Sequence, residues 1–294
     1  MKKIIAIVGP TATGKSELAV KLAKKYNGEI ISADSRQVYK GLNIGTGKMT
    51  KREKQSITHY LLDVISPKKL FTADDFLKLG SKAIDKIYAN NHIPIIAGGT
   101  GFYVDALLER VLLPSVPPNP KLRKKLETKS IKDLFTMLKK VDSARSRTIQ
   151  KTNKRRLIRA IEIALSIPNL KPKIQYLKPD FKVLWLGLNL PNPELKKKIR
   201  ERFLLWLKQG LIKEAKWLSS KVSKKRLREI GLMYPILAEY LNGSISKKEM
   251  IERSVNSIYH YAKRQKTWFK RNKKIHWVKD KEEAINLSKN FIKK

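Results

Sequence analysis

The stretch KIIAIVGPTATGKSELAVKLAKKY, residues 3–26, decides how the rest of the chain is read. KIIAIV (3–8) is an unbroken apolar run, the pattern of a strand buried on both faces. GPTATGKS (9–16) follows with a glycine, four residues and then Gly-Lys-Ser, the spacing of a phosphate-cradling loop. Beyond it Ala19, Leu22, Ala23 and Tyr26 fall on one stripe of a helix. Gly9 permits the tight turn out of the strand, and Gly14 lets the backbone approach an anion. Successive N–H groups and the helix N-terminus then face the phosphates. After Pro10, the variable positions Thr11, Ala12 and Thr13 add two hydroxyls as donors. Lys15 supplies a point charge, and Ser16 stands where its hydroxyl can ligate Mg²⁺. The spacing admits two linked phosphates and a metal; whose phosphates they are stays open.

Working outward, EIISA (29–33), YLLDVI (60–65), IPIIA (93–97) and VLWLGLNL (183–190) also read as buried strands, with helical spacing over 15–26 and 72–90. Such alternation predicts an α/β fold, a P-loop NTPase-like parallel sheet covered by helices. The proline-rich LPSVPPNP (113–120) breaks the pattern, and only helical, Lys- and Arg-rich segments follow until a second loop at 167–179. The expected organisation is a catalytic core of residues 1–114 and 182–294 with an inserted all-helical domain, 115–181. Three further helices are expected over 194–219, 231–241 and 247–271.

Sixty-five Lys and Arg against 25 Asp and Glu leave a net charge of +40 on 294 residues. That balance suits a polyanionic partner, and equally a lysine-biased proteome. There is no cysteine, hence no disulfide framework and no thiolate metal site. No apolar run approaches membrane-spanning length, and the chain opens on Met1, two lysines and a strand rather than a signal peptide. A cytoplasmic protein is expected.

SADSRQVY (32–39) ends the second strand at the carboxyl edge of the sheet, where open α/β folds place ligands. Asp34 there is either a carboxylate for Mg²⁺ or a proton, or a turn cap assisted by Ser35. Arg36 and Gln37 carry donors and acceptors suited to a base edge. In IPIIAGGTGFYVDALL (93–108), Gly98, Gly99 and Gly101 either admit a ligand or pack helix against strand, and Thr100 offers a hydroxyl. Asp63 follows apolar residues as a Walker-B Asp would, but nothing around it resembles an ATPase switch. In NKRRLIRAIEIAL (153–165), Leu157, Ile161 and Leu165 form a core stripe with Arg155, Arg156 and Arg159 outside it. YHYAKRQKTWFKRNKK (259–274) interleaves aromatics with Lys and Arg. Both basic stretches suit RNA, and both suit a solvated helix face. The four histidines, His59, His92, His260 and His276, have no ligand spacing.

Taken together, GPTATGKS, SADSRQVYKGLNIGT (32–46), HYLLDVISP (59–67), FTADDF (71–76), AGGTGFY (97–103), NKRRLIRAIE (153–162), LREIGL (227–232) and AKRQKTWF (262–269) follow one another in a family order. The chain resembles the tRNA dimethylallyltransferases (tRNA isopentenyltransferases) of bacterial type, from about residue 3 to about 271. The resemblance implies that the loop holds the pyrophosphate of dimethylallyl diphosphate. The exocyclic N6 amine of the adenosine 3′ of the anticodon (position 37), in tRNAs reading codons that begin with U, attacks the allylic carbon, and diphosphate leaves. It implies Asp34 as general base, with Lys15, Thr100 and Arg228 also catalytic and Arg228 supporting the pyrophosphate. Gly9 to Ser16 hold the diphosphate, Ser16 with Mg²⁺. Asp34, Ser35, Arg36, Gln37, Thr100, Arg123 and Lys154 to Ile158 (Lys154, Arg155, Arg156, Leu157, Ile158) touch the tRNA anticodon stem-loop. By the same resemblance the target adenine is expected to be flipped into a channel between the domains, and a monomer without membrane contact is expected.

Three positions depart from the family pattern: Leu232 where an aromatic commonly follows Ile-Gly, and Gly47 and Met49 in place of the usual Ala and Pro. The competing readings are a transferase acting on free adenine nucleotides, a small-molecule kinase and a non-catalytic or ATPase RNA-binding protein. The basic insertion argues for a polymeric substrate.

Overall fold

The computed structural model describes residues 2–108, 114, 116–167 and 181–293. The chain divides into two compact units, Met1–Val111 with Lys178–Lys294, and Leu112–Leu177. Residues 113 and 115 of the loop at 113–120, and 168–179 of the loop at 167–179, lie outside the described residues.

The larger unit begins with β1 (Lys2–Val8), α1 (Lys15–Lys25), β2 (Gly28–Ser32), α2 (Lys51–Lys54), β3 (His59–Tyr60), α3 (Ala73–Ala89), β4 (Ile93–Gly98) and α4 (Gly101–Leu107). The smaller unit holds α5 (Pro120–Glu127), α6 (Ile131–Val141), α7 (Ser143–Thr148) and α8 (Lys154–Ser166). The larger unit then resumes with β5 (Phe181–Gly187), α9 (Asn192–Lys208), α10 (Leu211–Lys221), α11 (Lys224–Ile230), α12 (Tyr234–Leu241), α13 (Lys247–Phe269), β6 (Ile275–Trp277) and α14 (Lys281–Lys293).

Its six strands form one sheet in the order β3-β2-β4-β1-β5-β6, and every pairing is parallel. Ile4, Ala6 and Val8 of β1 belong to one core layer, and Ile5 and Ile7 to the other. Burial on both faces explains why the strands read as continuous apolar runs rather than alternating ones. All parallel strands end at the same edge, so the segments after β1, β2 and β4 converge there.

Two expectations differ from the structure. YLLDVI is a strand only at His59–Tyr60; Leu61 (φ 65°) and Asp63 (φ 55°) turn left-handed, and Ile65 bridges Tyr39 instead. The chain leaves the sheet because Val64 and Ile65 donate their N–H groups to the Val38 carbonyl, in a second short pairing beside the edge. Asp63 is paired with Lys48 at 2.6 Å, a structural tie rather than a nucleotide switch. The helix expected over 194–219 is two helices, broken where Gly210 takes φ 104°. The pattern also gave no notice of β6, whose three residues are too few to show a period.

The smaller unit has its own core, in which Leu126, Leu134, Leu138, Leu157, Ile158 and Ile161 are buried. The stripe of α8 therefore runs through Ile158 and stops at Ile161, because Leu165 is 48% exposed. Glu162, on the same helix, is fully buried. It accepts from Arg123 at 2.6 and 2.9 Å and from the Asn119 N–H at 2.6 Å, and it pairs with Arg159 at 2.5 Å.

Candidate active site

The loop after β1 closes on itself in a way its spacing explains. Gly9 takes φ 138°, and a Cβ there would meet the Leu188 carbonyl at 2.1 Å, so the turn out of β1 admits only glycine. Ala12 (φ 63°) and Gly14 (φ 86°) are left-handed, the alternation that points successive N–H groups to one side. No atom lies within 4 Å of a Cβ built on Gly14, so this glycine serves backbone conformation at the start of α1. The Pro10 carbonyl accepts from the Thr13 hydroxyl at 2.9 Å and from the Lys15 ammonium.

The loop opens on a cavity of about 490 Å³. Thr11 to Ser16 line it, together with Asp34, Gln37, the backbone around Gly47, Arg202 and Trp206. Burial, then the Arg202 guanidinium, pushes the Lys15 ammonium down to about 7 against the opposing pull of Asp34. An anion in the cavity would restore the lysine's charge, and a site that disfavours its own cations in this way is built for one. A narrower recess adjoins, walled by Leu232, Met233, Ile258 and Tyr261; Thr11, Asp34, Thr46 and Trp206 line both spaces. Asp34 thus stands at the junction of a phosphate cavity and a small recess of mixed polar and apolar lining.

One carboxylate oxygen of Asp34 caps its own turn, accepting from the N–H groups of Arg36 (2.8 Å) and Gln37 (3.3 Å). The turn-capping and cavity-facing readings therefore both hold. Thr100 steadies this turn, its hydroxyl oxygen accepting from the Ser35 N–H at 3.0 Å.

Several expected contacts are placed differently. The Gln37 amide is spent inside the protein, accepting from the Ser32 hydroxyl and donating to the carbonyls of Thr46 and Gly47, so it braces a loop instead of offering a base edge its donors. Arg36 donates Nε to the Ile230 carbonyl and stacks on Tyr261. Gly99 and Gly101 are glycines because α13 packs on them: a Cβ would meet the Gln265 amide at 2.0 Å and the Trp268 ring at 2.1 Å. Gly98 and Gly99 also line the loop cavity, so helix packing and an approach to a ligand are both compatible with this loop. Arg228 is exposed on the last turn of α11 and is not brought to the cavity; the guanidinium there belongs to Arg202.

In the smaller unit, Leu157 and Ile158 are core residues whose side chains cannot reach a partner, and Arg123 is tied to Glu162. Arg155 and Arg156 are exposed on α8, with Lys154 half-buried beside them. On α13, Phe269 is buried and Trp268 donates to Asp105 at 2.8 Å, while Lys263, Arg264, Lys270 and Arg271 are exposed.

Residues that sequence reasoning missed reach the site from far along the chain. Gln265 accepts from the Thr11 N–H at 2.9 Å and donates to the Gly99 carbonyl at 2.9 Å, tying the phosphate loop to the segment after β4. Glu214 accepts from the N–H groups of Asn43, Ile44 and Gly45 and so holds one wall of the cavity. Gln265 lies within AKRQKTWF, but only contact separates it from the surface cations around it. Nothing local marks Arg202 or Glu214.

A parallel sheet with a glycine-rich phosphate loop after its first buried strand, and a carboxylate after the next, defines a P-loop-type transferase or kinase core. The family model described as IPP transferase matches residues 37–272, and the chain belongs to that family. The tRNA dimethylallyltransferase of Limosilactobacillus reuteri is 38% identical over 99% of this chain and 98% of its own. The tRNA isopentenylpyrophosphate transferase of Bacillus halodurans superposes with a TM-score of 0.72 at 33% identity, covering 100% of this chain and 96% of its own. A eukaryotic dimethylallyltransferase acting on tRNA superposes with a TM-score of 0.86 at 25% identity, over 100% and 80%.

Proposed function

We propose that the chain transfers the dimethylallyl group of dimethylallyl diphosphate to N6 of the adenosine 3′-adjacent to the anticodon of tRNA, releasing diphosphate. The observation that carries this reading is the position of Asp34 between the phosphate cavity and the narrow recess. A kinase needs its acceptor hydroxyl at the terminal phosphate; an alkyl transfer needs its base beside the carbon at the inner end of the diphosphate. Asp34 suits the second.

In this scheme the N–H groups of the loop and the Lys15 ammonium bind the diphosphate and hold its allylic carbon toward Asp34. An aryl amine is a weak nucleophile, so the carboxylate that accepts its proton during attack lowers the barrier. The electron pair of the breaking C–O bond leaves on the diphosphate, whose charge the loop stabilises. The donor set fits Mg²⁺: the Ser16 hydroxyl lines the cavity, and this hard cation is commonly held by one or two protein oxygens together with phosphates. Bound there, it would supply further charge stabilisation. The adenine reaches Asp34 only if flipped from its stack. In the smaller unit, Lys154, Arg155 and Arg156 are the α8 side chains suited to grip phosphates of the stem-loop. A cytoplasmic monomer meets the needs of this reaction. Among the described residues no helix is long and apolar enough to cross a membrane.

The test is a competition. With Mg²⁺ and labelled dimethylallyl diphosphate, label should pass to unmodified tRNA whose target adenosine has adenosine neighbours, and not to AMP in the same tube. Label on AMP alone, or turnover of ATP alone, would discard the tRNA reading. A second expected result concerns charge: tRNA affinity should fall linearly on a log–log salt plot, with a slope of about −0.7 to −0.9 per phosphate neutralised. A flat response would assign the +40 to lysine bias.

A further inference from the structure

We propose that Glu214 is a positioning residue for Asp34: it clamps the segment 43–47, and that segment holds the turn on which the Asp34 carboxylate stands. The inference rests on the prenyl-transfer reading above, in which Asp34 takes the proton.

Glu214 stands on α10 and commits both oxygens to one place. One accepts from the N–H groups of Asn43 at 2.7 Å and Ile44 at 2.8 Å; the other accepts from the Gly45 N–H and the Tyr234 hydroxyl, both at 2.9 Å. Three successive N–H groups turned toward one carboxylate make an anion nest whose anion comes from the protein itself. Bonds to an ionised acceptor are about twice as strong as neutral ones, so the clamp depends on the charge of Glu214. Gly45 lets the segment seat closely, since a Cβ there would meet the Tyr234 hydroxyl at 2.7 Å and Leu211 at 2.9 Å.

From this clamp the backbone carries the constraint forward. The Gly47 N–H donates to the Ile44 carbonyl at 2.9 Å and the Lys48 N–H to the Asn43 carbonyl at 3.0 Å, which fixes where the carbonyls of Thr46 and Gly47 point. Those two carbonyls accept from the Gln37 amide at 3.1 and 3.3 Å, and the Ser32 hydroxyl donates to its other end at 2.8 Å. The Gln37 N–H in turn joins the Arg36 N–H in capping Asp34. The same segment walls the space in front of the base: Asn43, Ile44, Thr46 and Gly47 line the larger cavity, and Gly45 and Thr46 the recess.

Glu214→Gln keeps the side chain's size but sets an NH₂ group where one oxygen accepted, so at least one N–H of the segment is left facing a donor. The segment then shifts, Gln37 follows its carbonyl partners, and the Asp34 carboxylate leaves its line to the attacking amine. A misplacement of about 1 Å is enough to cost about 10²-fold in rate.

The experiment is a double-mutant cycle on one round of transfer at saturating tRNA and dimethylallyl diphosphate, in wild type, Glu214→Gln, Asp34→Asn and the double variant. Glu214→Gln alone should slow transfer by about 10²-fold. Its calorimetric affinity for inorganic diphosphate should stay within about twofold, because the loop at 9–16 has its own tie through Gln265. In the Asp34→Asn background the further loss should be under about threefold, since a residue that acts through the base has nothing left to position. Equal slowing in both backgrounds would mark a general structural defect and overturn the assignment. Amide exchange read by mass spectrometry supplies an arm free of activity: Glu214→Gln must speed exchange at 34–37 as well as at 43–45, and wild-type protection at 34–37 overturns the proposal. Should Glu214→Gln not fold, Gln37→Ala cuts the middle of the path and enters the same cycle, where a wild-type rate is equally fatal. A wild-type protein that prenylates no tRNA while exchange still couples 43–45 to 34–37 would refute the transfer reading and leave the mechanical link standing.

Discussion

Asp34→Asn is expected to slow a single round of prenyl transfer to tRNA by about 10² to 10⁴-fold while diphosphate binding persists. Asparagine keeps the side-chain oxygen that accepts from the Arg36 and Gln37 N–H groups, so the turn after β2 survives. What it loses is the ability to take a proton. Asp34→Ala removes cap and base together, and should add a loss of about 1 kcal/mol in stability to the same kinetic defect. The pair separates chemistry from architecture. Rapid-quench transfer with labelled dimethylallyl diphosphate provides the measurement, and an Asp34→Asn rate equal to wild type would remove the residue from the role of base.

The second large effect belongs to the smaller unit. Glu162→Ala should destabilise it by roughly 3–5 kcal/mol, since two arginines and a backbone N–H converge on a carboxylate with no exposed surface. Burial pushes this carboxyl up, but the Arg123 bonds, the Asn119 N–H and Arg159 outweigh it and hold it at about 2 against an ordinary 4.5. Because protonation is disfavoured in the folded state, the contribution is fully present above about 4.5 and is lost as pH falls through 4.5 toward 2. Urea unfolding at pH 7 and pH 3 checks both statements. The wild type should weaken on acidification more than Glu162→Ala does, and equal slopes with pH would dismiss the carboxylate as the source. The same substitution should weaken tRNA binding, because Glu162 lies on the helix that carries Arg155 and Arg156, while leaving diphosphate affinity unchanged.

A good share of this arrangement is legible in residue order. The loop at 9–16 declares itself because every constraint on it is local: a strand before, a helix after, left-handed backbone at Gly14, and Lys15 one residue beyond. The buried strands declare themselves through unbroken apolar runs. YLLDVI misleads by the same logic, since an apolar run shows burial but not partner, and residues 63–65 are held by the carbonyls of Gln37 and Val38 rather than by a neighbouring strand. Gly99 and Gly101 are only half legible. Glycine marks a close approach without saying by what, and what approaches is Gln265 and Trp268, more than 160 residues away.

Sequence by itself determined the α/β class, the phosphate loop, the place of Asp34 at the strand's carboxyl end and the family. These depend on short-range spacing and on motifs read in order. Only the tertiary structure decided which side chains are free to act. It withdrew the Gln37 donors, Leu157, Ile158 and Phe269 into internal contacts, and left Arg228 on the surface. It also brought Arg202, Gln265 and Glu214 to the site from helices with no motif of their own for phosphate. The reason is physical: a guanidinium or amide becomes a binding group through the partners it lacks or has, and those are fixed by packing between distant segments, which no local pattern records.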